Sequence, residues 1–295
     1  MNDYHAVDPY DHLLLRDNIT QQIGAASEGH WYALIDRAFD HGGKRFSASP
    51  ANDYPVYHTG HLQALATVSP YLIELPTESQ AQLRKLLGRL LLHCRGRPML
   101  SFVQSGHSGN ELVDAWQDLL EVETADGQAF LLRFADTRVL PELCACVAPL
   151  WQRLAHVVTA WWIINRSGEL AALPLLKAQG ESGKFRLNER EFACLLASGL
   201  PDALADRLNE HFPDLLARRC GSANFRLLHR GCELAGRHGI EAFPDQLALS
   251  VALLYSDGKL LDDPQFESWM QQKPWLHGSL EAALGDYLET MEATP

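Results

Sequence analysis

The 295-residue sequence has no apolar run approaching the roughly 18 residues that a membrane span requires, so no transmembrane helix is expected. Residues 1–10 also lack the basic-then-apolar order of a secretory signal. We therefore expect a cytoplasmic protein without a membrane partner. Positive charge is not in excess either, because 25 Lys and Arg stand against 37 Asp and Glu, a formal net charge of -12. Since like charge repels the phosphate backbone, no nucleic-acid partner is expected.

Motifs for cofactors and metals are also missing. The sequence contains neither GxxxxGK[ST] nor a GxGxxG after a strand, so nucleotide phosphates have no predicted cradle. His58 and His61 are three residues apart without a cysteine or carboxylate partner close in sequence, and Cys144-Ala-Cys146 lacks the two-residue spacer of a zinc knuckle. We therefore expect no cofactor and no bound metal.

Cysteine use fits the expected compartment. The six cysteines are Cys94, Cys144, Cys146, Cys194, Cys220 and Cys232. Without an export signal they are expected to be reduced, and their even number then implies no disulfide framework. The sequence predicts that they are small buried apolar side chains.

The order of predicted helices and strands divides the chain in two. Over residues 1–180, strand candidates such as 31–35 and 71–75 alternate with amphipathic helices, which is typical of an α/β or α+β fold. We predict a mixed-sheet N-terminal lobe with flanking helices there. Segment 174–184 shifts to Ala, Gln, Gly, Ser and Lys, as in a linker. Residues 181–295 are predicted to form an all-helical lobe.

Two local signals in the helical lobe concern where helices begin. Asn188 with Glu191 has the spacing of a helix cap ahead of an apolar stripe. Pro201 is predicted to start a separate helix, because proline is favoured in the first helical turn.

One segment resembles a catalytic motif. Residues 106–110 read Gly-His-Ser-Gly-Asn and nearly match the GxSxG nucleophile elbow of α/β-hydrolases, which would make Ser108 the nucleophile. Asn110 replaces the second glycine, which would let the helix approach the strand closely. The alternative is a loop that only turns the chain. Both interpretations remain open at the level of sequence.

Arginines cluster in the helical lobe. Between Arg218 and His238 the only acidic residue is Glu233. The basic residues in this stretch are Arg218, Arg219, Arg226, Arg230 and Arg237. The segment 257–292 instead contains eight acidic residues and two lysines. These arginines either pair with that acidic segment within the chain or form a docking surface for an acidic partner, since arginine is favoured in interfaces.

The segments 31–38, 69–75, 98–105 and 131–140 resemble the bacterial type VI secretion effector-adaptor family, domain of unknown function 4123. The most specific segment is 131–140, Leu-Leu-Arg-Phe-Ala-Asp-Thr-Arg-Val-Leu. Arg133, Phe134, Asp136, Arg138, Val139 and Leu140 match the family motif. Ala135 and Thr137 depart from its usual Tyr or Trp and Pro. The resemblance covers about residues 30–165.

The resemblance implies a non-enzymatic adaptor. Members of the family are similar to chaperones that hold a toxic effector in the cytoplasm and load it onto the spike protein VgrG. The implied partners are therefore an effector toxin and VgrG, and no catalytic residues carry over. Two other classes remain possible, namely a serine hydrolase using Ser108 and an immunity protein that binds one toxin without binding the spike.

The motif also has a structural interpretation. Arg133 and Phe134 alternate along a predicted strand, and Asp136 is placed to cap a helix that starts near Arg138. On this interpretation Asp136 and Arg138 are scaffold residues. On the other they contact a partner.

Overall fold

A computed structural model describes residues 7–25, 29–40, 45–47, 53–175 and 183–292. The strands are β1 His30–Ile35, β2 Asp53–Pro55, β3 Tyr71–Glu74, β4 Leu100–Ser105, β5 Glu121–Glu123, β6 Ala129–Leu131, β7 Ala160–Ile164, β8 Leu170–Ala172 and β9 Phe185–Arg186. The helices are α1 His12–Ala25, α2 Gln80–His93, α3 Gly109–Ala115, α4 Val139–Cys146, α5 Ala148–Ala155, α6 Glu189–His211, α7 Pro213–Ala217, α8 Gly221–His238, α9 Phe243–Tyr255, α10 Pro264–Gln272 and α11 Leu280–Glu292.

The described chain divides into two compact units between Leu195 and Leu196, inside helix α6. We call the described residues up to Leu195 the sheet unit and those from Leu196 the helical unit. The boundary predicted between residues 180 and 181 falls in 176–182, which lies outside the described residues.

A six-stranded sheet organises the sheet unit, in the order β2-β3-β1-β4-β7-β8. Alternate residues of β1 enter different cores, with Tyr32 and Leu34 on one face and Trp31, Ala33 and Ile35 on the other. All five are at most 2% exposed. Helices α1 and α2 cover one face, and α3, α4 and α5 cover the other, so β1 is buried on both sides.

The predicted α+β class is confirmed, but the six-stranded sheet differs from the predicted mixed sheet. Every pairing in the six-stranded sheet is antiparallel. Parallel pairing occurs between β5 and β9, in a separate three-stranded sheet. Short turns suffice for antiparallel neighbours, and the turn between β7 and β8 uses Gly168 with a φ of 77°.

The described residues of the helical unit form helices around one core, as predicted for this lobe. Apolar faces of α6, α8, α9, α10 and α11 meet there. Its largest fully buried side chain is Phe266, which stacks on Trp269 with ring centroids 5.5 Å apart.

The start of α6 confirms one prediction and corrects another. Asn188 and Glu191 exchange hydrogen bonds, each backbone N–H donating to the other side chain at 2.9 Å. Pro201 does not start a helix, because α6 runs through it. Burial of Leu204 and Leu208 just beyond Pro201 favours continuation despite the missing N–H donor.

The expectation that all six cysteines are reduced is wrong for one pair. Cys146 at the end of α4 and Cys194 in the first turns of α6 form a disulfide within the sheet unit, with Cα atoms 5.6 Å apart. Residues 48 positions apart were brought together by tertiary packing, which cysteine spacing does not reveal. Cys94, Cys144, Cys220 and Cys232 are free.

Candidate functional site

The motif arginines lie beside the carboxyl end of strand β1. A 3₁₀-helix, Arg37–Phe39, follows β1. The guanidinium carbon of Arg133 lies 5.3 Å from the centroid of the Phe39 ring, and that of Arg138 lies 5.6 Å from it. A cation within about 6 Å of an aromatic face is attracted to it. The Phe39 cluster, as we call it, comprises Asp36, Phe39, Arg133, Asp136 and Arg138.

Asp36 is a buried anion of the Phe39 cluster. Its Oδ2 accepts a hydrogen bond from Nη2 of Arg133 at 2.8 Å, and its Oδ1 accepts one from the backbone N–H of Ala38 at 3.0 Å. Burial raises the pKa of Asp36, and the Arg133 guanidinium opposes that rise. The side chain of Asp36 is 2% exposed and that of Arg133 42%. Arg133 therefore compensates a buried charge while part of its surface faces solvent.

Asp136 and Arg138 form the second ion pair of the Phe39 cluster. Arg138 donates from Nη2 to Oδ2 of Asp136 at 2.8 Å and from Nε to Oδ1 at 3.1 Å. The same Oδ1 accepts the backbone N–H of Arg138 at 3.0 Å. Helix α4 begins at Val139, so Asp136 orders the turn before the helix and is not the capping residue itself. This geometry agrees with the scaffold interpretation.

Phe134, the motif's aromatic residue, is a core side chain. It is 1% exposed and lies edge-on to Trp116, with ring centroids 5.1 Å apart. The ring centroid of Trp161 in β7 lies 6.2 Å from that of Phe134 and 5.2 Å from that of Trp151 in α5. Phe134 thus ties the motif to the centre of the sheet unit, and it is not available to a partner.

A neighbouring ionic group was not identified from the sequence. Asp40 is 2% exposed at its side chain, and its Oδ1 contacts Nε2 of His93 at 2.8 Å and Nη1 of Arg97 at 3.2 Å. Arg97 also donates to the backbone carbonyl of Phe39 at 3.0 Å. Two carboxylates four residues apart, directly after an apolar strand, were the signal that could have indicated these contacts.

The candidate nucleophile Ser108 caps a helix. Its hydroxyl donates to Oε2 of Glu111 at 2.7 Å, and the backbone N–H of Ser108 donates to the same oxygen at 2.8 Å. These hydrogen bonds lower the pKa of Glu111. Ser108 is the N-cap of α3 and forms a capping box with Glu111, which is a sufficient structural reason for a serine at this position. No imidazole is bonded to its hydroxyl among the described residues.

Gly109 has a structural reason as well. A Cβ added there would lie 2.3 Å from Cδ2 of Tyr54, so only glycine lets α3 approach β2 this closely. The small residues of this segment therefore serve the packing of a helix against a strand.

Three arginines of the 218–237 segment pair with the acidic segment that follows. Arg219 contacts Asp257 and donates to the carbonyl of Leu254 at 2.8 Å. Nη2 of Arg230 lies 2.8 Å from Oδ1 of Asp262. Arg237 approaches Glu267 more loosely, at 3.9 Å. The intramolecular interpretation of the charge pattern thus describes these three residues.

The other two arginines of the segment are placed differently. Arg226 donates to the hydroxyl of Ser222 at 3.3 Å on its own helix. Within the described part of the chain, neither Arg226 nor Arg218 lies within ion-pair distance of a carboxylate, and both are exposed. A role in partner binding therefore remains a prediction chiefly for these two.

Among the described residues, no three side chains of His, Cys, Asp or Glu gather in a way that could hold a metal ion. His58 and His61 each contact one carboxylate, Asp114 at 2.8 Å and Glu121 at 3.0 Å. No described helix has both the length and the apolar character to cross a bilayer.

The fold and the Phe39 cluster define an α+β protein in which a buried carboxylate at the end of a central strand pairs with an arginine far along the chain. Residues 31–153 match the model of a protein family described as "Domain of unknown function (DUF4123)". The match begins in β1 and includes the motif at 133–140, so it contains the whole Phe39 cluster. Neither the curated proteins nor the solved structures contained a match to this chain.

Proposed function

We propose that this chain is a non-enzymatic adaptor that binds an effector toxin of a type VI secretion system in the cytoplasm and loads it onto the spike protein VgrG. The observation that carries the proposal is the family match over residues 31–153, which includes the motif on which the resemblance to the effector-adaptor family rests. Four of the motif residues, Arg133, Phe134, Asp136 and Arg138, occupy defined structural positions.

The arrangement of side chains supports a binding protein. The polar groups of the Phe39 cluster form two ion pairs, Arg133 with Asp36 and Arg138 with Asp136. Part of Arg133, together with Arg218 and Arg226 of the helical unit, offers guanidinium groups to solvent. Arginine is enriched at protein interfaces, where its planar group meets carboxylates in two-point contacts.

The direct test is co-purification. The chain is co-expressed with the VgrG protein and the toxin that are expected to be encoded beside it, and complexes are separated by size-exclusion chromatography with mass measurement. We expect one complex that contains all three proteins. Binding of the toxin without VgrG would indicate an immunity protein instead, and binding of neither would contradict the proposal.

Variants of Arg218 and Arg226, the two arginines of the segment without a carboxylate partner among the described residues, locate the surface. Arg218→Glu combined with Arg226→Glu is expected to weaken co-purification with one client without changing the melting temperature. Arg230→Glu is the matched control, because Arg230 is already paired with Asp262. Unchanged co-purification of the double variant would remove these residues from the proposed interface.

The hydrolase alternative has its own discriminating experiment. A serine nucleophile reacts with a fluorophosphonate probe, and Ser108→Ala would abolish both that labelling and any esterase activity. On the adaptor proposal, the wild-type protein shows no labelling at Ser108.

A further inference from the structure

An apolar groove runs between helices α9 and α11 of the helical unit. Its volume is about 500 Å³, and its lining includes Leu247, Val251, Leu284 and Leu288. Of these four side chains only Leu284 is buried, at 3% exposed, and the other three are partly exposed. The groove is therefore apolar surface that the described chain leaves uncovered.

The aromatic residues at the groove are also exposed. Phe212 is 44% exposed and Tyr255 is 49% exposed. Contiguous exposed apolar surface on a soluble protein marks an interaction site more often than scattered apolar residues do. Aromatic side chains supply much of the binding energy at such sites.

The shape of the groove fits a helix. Leu247, Val251 and Tyr255 are spaced four residues apart and form a ridge along α9. Gly285 lies on the α11 side, where a Cβ would meet nothing within 4 Å. Ridges of one helix pack into the groove between others, and small residues allow the close approach that this packing needs.

The charge of the groove indicates its occupant. Glu281 and Glu289 line it from α11, and at 1.5 Å per residue they stand about 12 Å apart along that helix. Neither α9 nor α11 contains a lysine or arginine. Both carboxylates are exposed, and within the described residues neither has a cationic partner, unlike Asp257 and Asp262, which pair with arginines.

We propose that the groove binds an amphipathic helix of a client protein, with apolar side chains entering the groove and lysine or arginine side chains meeting Glu281 and Glu289. The inference rests on the proposed adaptor function and deepens it by naming the chemistry of the segment that a client presents. Helix-in-groove recognition of this kind places anchors at i, i+3 or i+4, and i+7 of the bound helix.

A second copy of this chain is a poor occupant of the same groove. In a symmetric dimer the same surface meets itself, so Glu281 and Glu289 of one copy would face those of the other. Like charges brought together across an interface oppose association. A basic helix from another protein would instead place positive charges opposite Glu281 and Glu289, which favours association.

The first experiment uses a defined probe. A synthetic amphipathic peptide of about 18 residues, with leucines on one face and lysines flanking them, is titrated into the full chain and followed by fluorescence anisotropy. A second peptide has glutamates in place of the lysines. We expect the lysine peptide to bind at least about tenfold more tightly, with an advantage that shrinks at high salt. Equal affinities, or no binding by the lysine peptide, would overturn the proposal.

A variant that fills the groove tests the position. Gly285→Leu places a side chain in open space and replaces glycine by a better helix former, so the fold is expected to persist. Affinity for the lysine peptide should fall about tenfold or more, since the anchors lose their place. Gly236→Leu is the matched control, because Gly236 is an exposed glycine of α8 that also has nothing within 4 Å of an added Cβ. An unchanged affinity of Gly285→Leu would overturn the assignment.

Charge reversal tests the rim separately. Glu281→Lys combined with Glu289→Lys should reverse the preference toward the glutamate peptide, and an unreversed preference would overturn the proposed chemistry.

A homodimer in sedimentation that Gly285→Leu abolishes would place a second copy in the groove and would overturn the proposed occupant. If the wild type binds toxin and VgrG and Gly285→Leu binds them equally well, the groove assignment is wrong while the adaptor function stands. If the wild type binds neither client, the adaptor function itself is wrong.

Discussion

The sheet unit and the helical unit each contain an arginine–aspartate pair of the same length in different surroundings. Arg133 and Asp36 are 2.8 Å apart, as are Arg230 and Asp262. Asp36 is 2% exposed at its side chain, whereas Asp262 is 75% exposed. Equal distances therefore join a desolvated anion in one unit and a hydrated anion in the other.

The comparison shows why distance alone does not rank these contacts. Both members of an exposed ion pair are hydrated whether or not they are in contact, so the pair contributes little to the free energy of unfolding. When one member is buried, removing its partner leaves an uncompensated charge in a poorly solvated place, which destabilises the fold strongly. The sheet unit thus depends on its motif arginine for folding, whereas the exposed pair of Arg230 and Asp262 contributes little to the fold of the helical unit.

The largest effect is expected in the sheet unit, at the aromatic residue of the motif. Phe134→Ala should lower the free energy of unfolding by about 3–5 kcal/mol, because it removes a fully buried ring and leaves a cavity beside Trp116. Tyr255→Ala in the helical unit is the control, and its half-exposed ring should change stability by no more than about 0.5 kcal/mol. Urea unfolding measures both. Similar losses for the two variants would break the contrast between the units.

A second expected effect concerns the disulfide of the sheet unit. Cys194→Ser should lower the free energy of unfolding by about 2–4 kcal/mol, because the Cys146–Cys194 bond restricts the unfolded chain. Wild-type protein treated with a reductant should show the same loss, and the variant should not respond to reductant at all. Cys220→Ser, at an exposed free thiol of the helical unit, is the control. A wild-type melting temperature that reductant leaves unchanged would contradict the cross-link.

The third prediction concerns the buried carboxylate directly. Arg133→Ala should lower the free energy of unfolding by about 1–3 kcal/mol, less than for a fully buried pair because Arg133 is itself 42% exposed. Arg84→Ala, which breaks an exposed pair with Asp17 in the same unit, should cost no more than about 0.5 kcal/mol. Chemical unfolding at neutral pH distinguishes the two.

The same variant has a predictable dependence on pH. Burial raises the pKa of Asp36 in the folded state above its ordinary value of 3.8, so the folded protein binds this proton more tightly than the unfolded chain does. Ionisation of Asp36 as the pH rises therefore lowers the free energy of unfolding. Removing Arg133 takes away the cation that opposes this rise, so the pKa of Asp36 increases further. The destabilisation by Arg133→Ala should therefore be larger at pH 7 than at a pH low enough to protonate the carboxyl. A loss that is independent of pH would show that Asp36 is not the group involved.

Local patterns predicted the fold well. The apolar strand at 31–35 and the helix cap formed by Asn188 and Glu191 follow from short-range chemistry, and both appear where expected. Pro201 and the disulfide were missed for a shared reason. In both, packing among residues distant in sequence decides the outcome, and single-sequence patterns contain no information on it.

The candidate site was predictable only in part. The motif identified Arg133 and Asp136, but Asp136 bonds to Arg138 in the turn before α4 and does not cap that helix. The partner of Arg133 was not predicted, because Asp36 is 97 residues away along the chain. The groove between α9 and α11 was also missed, since an apolar helix face looks the same in sequence whether it is covered or open.

The smallest effect is expected at the exposed pair of the helical unit. Arg230→Ala should change the free energy of unfolding by about 0.5 kcal/mol or less, because both side chains are more than half exposed and lose little hydration on pairing. A double-mutant cycle with Asp262→Ala isolates the interaction, which should fall further at 1 M salt, where the screening length is only about 3 Å. A coupling above about 1.5 kcal/mol, retained at high salt, would show that this pair resembles Arg133 and Asp36 after all.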